Sequence, residues 1–362
     1  MKIRVVESLP EFDRLGPLWR ELMTAGRLTS PFRSHDWFAC CWRTAGPNRQ
    51  RQVLVVEDAE GPVAMVPLVR WRSSVRSLPV TMVSLMEGPG QAMPEIPIAR
   101  RRNDVMASVV DFFAVRRDWD LLVIPGLVAG SPSTHAVLDA LTEHSLWSAA
   151  AQDIVPHVVV AGTWQRYLRD RARWLEPILA AGAALERSGA LQVEEHANLG
   201  AADALFAEVM ELAEDSWASP RGLVTTPPET YRFFRALCRR ASANDWLRLW
   251  VLRHEGRVVA AELQLQNGTM AHVVRTSRDP ATPFAAFLRA SILKSFFASN
   301  KVQHYDLGAG TGDDLLRWST SVRETMTVRV YAETNYGRLL HNVRTRLVPL
   351  ARRWRAQLGR TG

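Results

Sequence analysis

The sequence predicts an α/β fold of two similar mixed-sheet units in tandem, followed by a C-terminal helix. Each half contains two β-rich runs around an acidic glycine turn, at Glu60-Gly61 and at Glu255-Gly256, which is typical of a β-hairpin. In each half a helical pattern and then a buried strand follow the hairpin. Because the same elements recur in the same order, we predict a duplication, with domains at residues 1–150 and 157–332 and a basic amphipathic helical tail at residues 335–362.

Length and composition favour a globular protein with a large core. The chain has 362 residues, of which 47% are hydrophobic, and this length favours two domains over one. Cys40, Cys41 and Cys238 have neither disulfide nor metal-ligand spacing, which predicts reduced thiols and no metal. The first residues lack the apolar run of a signal peptide, and no later run is long enough to span a bilayer. We therefore expect a cytoplasmic protein.

The net charge of +8 is concentrated in the tail. No acidic residue follows Glu333, whereas seven arginines do: Arg338, Arg344, Arg346, Arg352, Arg353, Arg355 and Arg360. The rest of the chain is close to neutral, which argues against nucleic-acid binding by the whole surface. The tail is expected either to lie on an anionic membrane, peripheral at the inner membrane surface, or to dock on the second half, since Pro349 interrupts its helical pattern.

Hydrophobic spacing places the elements of the first half. It predicts helices at residues 9–25 and 31–42, the hairpin at 53–68, a strand at 81–85, a loop at 87–97, a helix at 104–115, a strand at 119–124 and a helix at 132–144. The predicted order is therefore α-α-β-β-β-α-β-α. The aromatic residues Trp37, Phe38 and Trp42 are expected in the core, the alternative being a platform for a ligand.

The second half repeats this design and adds a glycine-rich turn. A helix is predicted at residues 228–240 and a hairpin at 247–263, and residues 273–313 then combine a strand, a turn at Asp279-Pro280, a helix, a strand and glycines. The free N–H groups at the start of this helix suit the phosphates of an acyl or nucleotide donor. The glycines either let a ligand approach the backbone or only form a tight turn.

Residues 163–191, between the halves, are rich in arginine. Pro177 and Gly182 are expected to break the helical pattern of this segment. A basic helix with interleaved aromatic residues suits phosphates or nucleic acid. The alternative is a connecting helix whose arginines are solvated. The arginines of this segment are Arg166, Arg169, Arg171, Arg173 and Arg187.

Aromatic and glycine-rich motifs run through both halves. In the first half they are Trp19, Pro31-Phe32-Arg33-Ser34-His35-Asp36-Trp37, Trp42, Val63-Ala64-Met65-Val66-Pro67-Leu68 and Trp119-Asp120-Leu121-Leu122. In the second half they are Trp217, Phe233-Phe234, Val258-Val259-Ala260-Ala261, Asp279-Pro280, Tyr305-Asp306-Leu307-Gly308-Ala309-Gly310, Arg317 and Trp318. Together they resemble the CelD/BcsL-like acetyltransferases of the GNAT superfamily, over nearly the whole chain but with loose motifs.

This resemblance implies tandem GNAT-like halves, as in the FemABX peptidoglycan aminoacyltransferases, with the active site mainly in the second half. It implies transfer of an acyl group, usually acetyl from acetyl-CoA, to an amine, in a family often linked to exopolysaccharide or cellulose production. Two family features are missing. Members of the family commonly have Tyr-Lys where this sequence has Asp314-Leu315, and their donor-binding helix starts with a glycine that is absent from Thr282-Pro283-Phe284. These departures leave open a different donor or a non-catalytic member.

Acyl transfer from a thioester to an amine needs a neutral amine, donors for the carbonyl oxyanion and a proton for the leaving thiolate. Glu262, in an apolar strand, is either the base or a solvent-facing position of the same parity as Gln264 and Gln266. His272 is either a base or a core histidine satisfied by the backbone. Asp306 is a base, an amine ligand or a turn cap.

Candidate binding residues surround the same segment. We expect the oxyanion and the phosphates of acetyl-CoA or another acyl-CoA near Arg275, Thr276, Arg278, Thr282, Phe284 and Ala285. The motifs that carry the resemblance supply the candidate substrate-binding residues Trp217, Gly308, Gly310 and Arg317.

Three functions are compatible with the sequence. The first is an N-acyltransferase that uses acyl-CoA and acts on an amine of a sugar, an amino acid or an envelope or exopolysaccharide precursor. The second is a FemABX-like transferase whose donor is an aminoacyl-tRNA or an acyl-carrier protein. The third is a non-catalytic partner in polysaccharide assembly that keeps the fold.

Overall fold

A computed structural model describes residues 1–75, 77–89, 95–144, 146–198, 203–212, 227–278, 284–308, 313–343 and 345. Its strands are β1 (Lys2–Val6), β2 (Gln50–Asp58), β3 (Gly61–Val75), β4 (Leu78–Leu85), β5 (Leu121–Val128), β6 (Ser148–Val159), β7 (Leu191–His196), β8 (Leu247–His254), β9 (Arg257–Asn267), β10 (Met270–Arg278), β11 (His304–Asp306) and β12 (Ser321–Tyr331). They form one mixed sheet in the order β1-β2-β3-β4-β5-β12-β6-β11-β10-β9-β8-β7.

Helices cover both faces of this sheet. They are α1 (Leu9–Arg14), α2 (Gly16–Ala25), α3 (His35–Thr44), α4 (Arg102–Ala114), α5 (Pro132–Glu143), α6 (Trp164–Arg169), α7 (Ala172–Arg187), α8 (Asp203–Glu211), α9 (Pro227–Ala243), α10 (Phe284–Ser299), α11 (Asp313–Trp318) and α12 (Asn335–Asn342), with a 3₁₀ turn at Pro31–Arg33.

The sheet consists of two halves of the same design. Strands β4 and β5 pair in parallel, as do β10 and β11, and a helix connects the strands of each pair. Each half gives its last strand to the other, because β6 pairs with β11 whereas β12 pairs with β5. Strands β6 and β12 then pair with each other at the centre. The predicted α/β fold of tandem mixed-sheet units is confirmed, whereas the predicted domain division near residues 150–157 falls inside β6 and stays a prediction.

Most predicted elements of the first half are present, with two corrections. The hairpins β2–β3 and β8–β9 are confirmed, and Gly61 and Gly256 adopt positive φ at their turns. The predicted helix at residues 9–25 is two helices, because α1 ends at Arg14 and α2 starts at Gly16. The predicted order also missed β1, a short edge strand whose alternation is too brief to stand out in the sequence.

One apolar core joins the two halves. Residues of α1, α2 and α3 pack together with residues of α8 and α9 against strands from both halves. The rings of Trp37 in α3 and Phe233 in α9 meet edge to face, with centroids 5.4 Å apart. The predicted core positions of Trp37, Phe38 and Trp42 are confirmed, since each is at most 5% exposed. The relative position of the halves is therefore fixed by buried apolar surface.

The segment between the halves forms the helices α6 and α7. Helix α7 continues through Pro177 and Gly182, so the predicted break is wrong. Packing against α10 holds the turns around Pro177, which lacks a backbone N–H. Arg171 lies over the Tyr167 ring, 4.1 Å from its centroid, and donates to the carbonyl oxygen of Arg317. This arginine connects the turn between α6 and α7 to the last turn of α11, whereas Arg166, Arg169, Arg173 and Arg187 are exposed.

Gly182→Ala is expected to lower the free energy of unfolding by about 1–3 kcal/mol, because overpacking forces side chains apart. A Cβ at Gly182 would lie 2.1 Å from the Phe287 ring of α10. In a helix, alanine is normally more stable than glycine. A lower free energy of unfolding would therefore come from the contact between this Cβ and the Phe287 ring. Urea unfolding measures the change, with Gly16→Ala as the control, since a Cβ there would meet His35 at an ordinary 3.5 Å. A Gly182→Ala variant as stable as the unaltered protein would contradict the packing argument.

The described part of the tail docks on the sheet. In α12, Leu340 is buried, and the Tyr336 hydroxyl donates to the carbonyl oxygen of Pro79 at 2.6 Å. The rest of the predicted amphipathic helix, from residue 346 onward, lies outside the described residues. No helix within the described ranges is both long enough and apolar enough to cross a membrane.

Candidate active site

A cleft opens where β10 and β11 diverge. The two strands pair only over Met270–His272 and His304–Asp306, after which β11 ends and β10 continues to Arg278 along β9. Beyond His272, the outer edge of β10 therefore has no strand partner among the described residues. A bulge between Val273 and Arg275 also interrupts the pairing of β10 with β9. Backbone groups along such an edge are available to a ligand.

A histidine and a carboxylate lie side by side where the strands diverge. His272 and Asp306 are opposite each other in the ladder, and their Nδ1 and Oδ2 atoms are 3.6 Å apart. Their side chains are 12% and 11% exposed. The Gly308 N–H donates to Asp306 Oδ1 at 2.9 Å, and this glycine has a φ of +84°. We call His272 and Asp306 the dyad.

Charged and aromatic neighbours surround the dyad. Arg323 of β12 places Nη1 3.5 Å from Asp306 Oδ2. Burial alone would raise the pKa of Asp306, but His272, the Gly308 amide and Arg323 together lower it. The Phe32 ring, from the first half, meets the His272 ring edge to face at 5.1 Å. The dyad therefore holds an ionised carboxylate beside an imidazole at the junction of the two halves.

Glu262 lies on the other face of the sheet, away from the dyad. Tyr305 and Asp306 are consecutive in β11, so they point to opposite faces, and Tyr305 donates its hydroxyl proton to Glu262 while Asp306 faces His272. Arg289 of α10 donates to Glu262 Oε2 at 3.1 Å, and Gln264 donates to Oε1 at 2.7 Å. Glu262 is 2% exposed, which excludes the solvent-facing alternative.

The Glu262 cluster, formed by Glu262, Gln264, Arg289 and Tyr305, is a buried ion pair with hydrogen-bonded neighbours. Burial would lower the pKa of Arg289, but the charge of Glu262 and the neighbouring Tyr305 raise it. Burial and the same carboxylate raise the pKa of Tyr305 well above its ordinary value. The cluster thus ties α10 to β9 and β11, the elements around the cleft. The structure brings His272 and Asp306 together and separates Glu262 from them.

The expected donor-binding residues lie in three environments. Arg275 is buried against Phe234, with its guanidinium carbon 5.0 Å from the ring centroid, and burial lowers its pKa to about 10. Thr276 faces α10, where its hydroxyl accepts a hydrogen bond from Arg289 at 3.4 Å. Phe284 and Ala285 are the first two residues of α10, the helix that follows β10 in the chain. The side chain of Arg278 and the whole of Thr282 lie outside the described residues.

Of the expected substrate-binding residues, Gly308 contacts the dyad through its backbone N–H. Arg317 is exposed in the last turn of α11, and its carbonyl oxygen accepts from Arg171 at 3.0 Å. Trp217 and Gly310 lie outside the described residues.

Arg289, Tyr305 and Arg323 are site residues that were not predicted from the sequence. A signal existed for Arg289, because it is one of two charged residues in the otherwise uncharged and largely apolar α10. Tyr305 is part of a motif that carries the family resemblance, but only its neighbour Asp306 was assigned a functional role. No signal marked Arg323, because β12 reaches Asp306 only through the exchange of the last strands between the halves.

The region that contains the cleft matches a known domain family. Residues 178–318 match the family model described as acetyltransferase (GNAT) domain, and this range contains β10, α10 and β11. The predicted acyltransferase class and the tandem GNAT-like fold are thereby confirmed. A search of curated proteins by sequence found no match.

Solved structures with the same fold cover both halves of the chain. FemX is similar at 8% identity, with a TM-score of 0.55, over 91% of this chain and 97% of its own. A tandem GNAT protein from the clavulanic acid biosynthesis pathway is 12% identical, with a TM-score of 0.50, over 92% of this chain and 100% of its own. L-PGS from Bacillus licheniformis is 10% identical, with a TM-score of 0.51, over 91% of this chain and 96% of its own.

Proposed function

We propose that the protein transfers an acyl group from an acyl-CoA to an amine in the cleft between β10 and β11. The dyad at the point of divergence carries this proposal, because it places a proton acceptor beside a strand edge that has no strand partner among the described residues. Acyl transfer to an amine needs both features at one place. The match of this region to a GNAT domain supports the same reaction.

In the proposed reaction, His272 accepts the proton that the amine loses as its nitrogen attacks the thioester carbonyl. Asp306 orients the imidazole and stabilises the imidazolium, while Gly308 and Arg323 keep the carboxylate ionised. Backbone N–H groups of β10 beyond the bulge stabilise the oxyanion. The carbon–sulfur bond then breaks, and the thiolate leaves as the thiol after taking up the proton that His272 accepted.

The start of α10 is the proposed site of the CoA phosphates. Phe284 and Ala285 are the first residues of this 16-residue helix, so their backbone N–H groups have no partner within the helix. The positive end of the helix dipole favours phosphate at this place. The glycine that the family has at the start of this helix is therefore not needed for backbone contact with a phosphate, although the larger side chains here leave the phosphate less room.

Acetyl-CoA is expected to raise the melting temperature of the purified chain by several degrees. A ligand that binds only the folded state contributes about 2.7 kcal/mol at 100 times its dissociation constant. Thermal unfolding with acetyl-CoA, longer acyl-CoAs and free CoA measures the shift and ranks the acyl chains. An unchanged melting temperature with every CoA would contradict the proposed donor.

The proposed acceptor is an amine of a sugar, an amino acid or an envelope or exopolysaccharide precursor. The alternative donor, an aminoacyl-tRNA or an acyl-carrier protein, is supported by the fold likeness to FemX and by the exposed arginines of α6 and α7. Salt-sensitive tRNA or carrier-protein binding without a CoA effect would favour it. A non-catalytic role in polysaccharide assembly would instead leave acyl transfer undetectable with each donor. Peripheral membrane contact through the tail stays a prediction, as does a location in the cytoplasm.

A further inference from the structure

The first half contains its own counterpart of the cleft. Strands β4 and β5 pair only over Met82–Ser84 and Leu121–Val123, and they diverge beyond these residues as β10 and β11 do. A cavity of about 240 Å³ lies beyond that point, with Leu85 of β4 and Pro125 of β5 in its lining. The duplication therefore produced two clefts, of which only the second holds the dyad.

Arginines dominate the polar lining of this first-half cavity. Arg33, Arg102 and Arg323 contribute to it, whereas Glu95 is the carboxylate among its lining residues. Arg33 pairs with Glu95, and Arg323 pairs with Asp306 of the dyad. The Nε atoms of Arg33 and Arg102 are both buried and, among the described residues, have no hydrogen-bond partner. Two buried donors that have no acceptor among the described residues make this cavity suited to an anion.

Two helices begin at the same cavity. Arg102 is the first residue of α4, and Ser131 and Ser133 lie at the N-cap and in the first turn of α5. The start of α4 has no side-chain cap, so its first backbone N–H groups lack a partner within the helix. At α5, Pro132 has no N–H and the Thr134 N–H donates to the Ser131 hydroxyl. This end therefore contributes the Ser133 N–H and the positive end of the helix dipole. Together with the arginines, they make the cavity favourable for a carboxylate or a phosphate.

The cavity adjoins the dyad through two of its lining residues. Arg323 contacts Asp306 directly, and Arg33 follows Phe32, whose ring meets His272. A molecule whose anionic group lies in the cavity would therefore have its remaining part close to the proposed base. The other walls are apolar, with Ile98 and Met106 among them, which suits a short hydrocarbon stem.

We propose that the first-half cavity binds the carboxylate or phosphate of the acyl acceptor, so that the substrate class is a small acidic amine. That the bound molecule is the acyl acceptor rests on the proposed function. The recognition itself depends only on Arg102, Arg33 and the two helix N-termini.

Direct binding to the full chain without an acyl donor tests this site. We would titrate two matched pairs, phosphoethanolamine with ethanolamine and leucine with leucinamide, by calorimetry. The acid of at least one pair is expected to bind at least about tenfold more tightly than its neutral partner, because charge-assisted hydrogen bonds to a guanidinium are stronger than neutral ones. The pair that shows the preference identifies phosphate or carboxylate as the group recognised.

Arg102→Gln is expected to remove this preference, whereas the matched control Arg101→Gln keeps it. Arg101 is the preceding residue, but its side chain is 52% exposed and pairs with Asp104. Melting temperatures of both variants show whether each is folded. Equal binding of acid and neutral partner in both pairs, or an Arg102→Gln variant that still binds the acid like the unaltered protein, would overturn the inference. Acid binding without any acyl transfer would instead contradict the proposed function.

Discussion

His272→Ala is expected to lower kcat by about 100- to 10,000-fold, which is the usual contribution of a general base. The imidazole is the group of the dyad that would take the proton of the amine. Donor binding should persist, because His272 faces the first half, away from the helix whose start is proposed to hold the CoA phosphates. The measurements are steady-state kinetics with the acceptor found by screening and the melting-temperature shift with acyl-CoA.

Asp306→Asn tests the second member of the dyad and is expected to lower kcat by up to about 10,000-fold, because an asparagine no longer holds the imidazole in the tautomer that accepts the proton. Asparagine keeps the shape but loses the negative charge that stabilises an imidazolium. His196→Ala is a matched control, since His196 also pairs with a carboxylate, Glu194, at 3.0 Å, but lies on the edge strand β7. If His272→Ala keeps more than half of the activity, or falls no further than His196→Ala, the dyad is not the base.

Glu262→Gln is expected to lower the free energy of unfolding by about 3–5 kcal/mol, because it leaves a buried charge without its partner. Arg289 is 9% exposed at its side chain and donates two hydrogen bonds to Glu262. Replacing the carboxylate by an amide also weakens the hydrogen bond from Tyr305. Urea unfolding monitored by circular dichroism measures the loss.

A double variant separates this structural role from a catalytic one. Arg289→Met alone leaves Glu262 buried and unpaired, whereas Glu262→Gln with Arg289→Met removes both charges and is expected to recover much of the stability. The double variant should also keep acyl transfer at a temperature where it is folded. A Glu262→Gln variant of normal stability but without activity would show that Glu262, rather than the dyad, carries the proton.

Local patterns in the sequence determined the elements and the duplication. Alternating β-rich runs with Gly61 and Gly256 at their turns predict both hairpins, since a glycine turn between two such runs is a signal contained in adjacent residues. The position of the active-site segment was also predictable, because a strand, a helix and a glycine turn follow one another in the chain. Its candidate residues could be named, but no local pattern showed which of Glu262, His272 and Asp306 lie together.

Only the tertiary structure decided which of these residues meet. Whether Glu262 or Asp306 faces His272 depends on the sheet face that each strand presents, and the bulge after Val273 changes that relation along β10. The exchange of β6 and β12 then brings Arg323 to Asp306, and the shared core brings Phe32 and Arg33 to the same place. These contacts join residues far apart in the chain, so no local pattern can encode them. The elements follow from neighbouring residues, whereas the site follows from how the two halves pack.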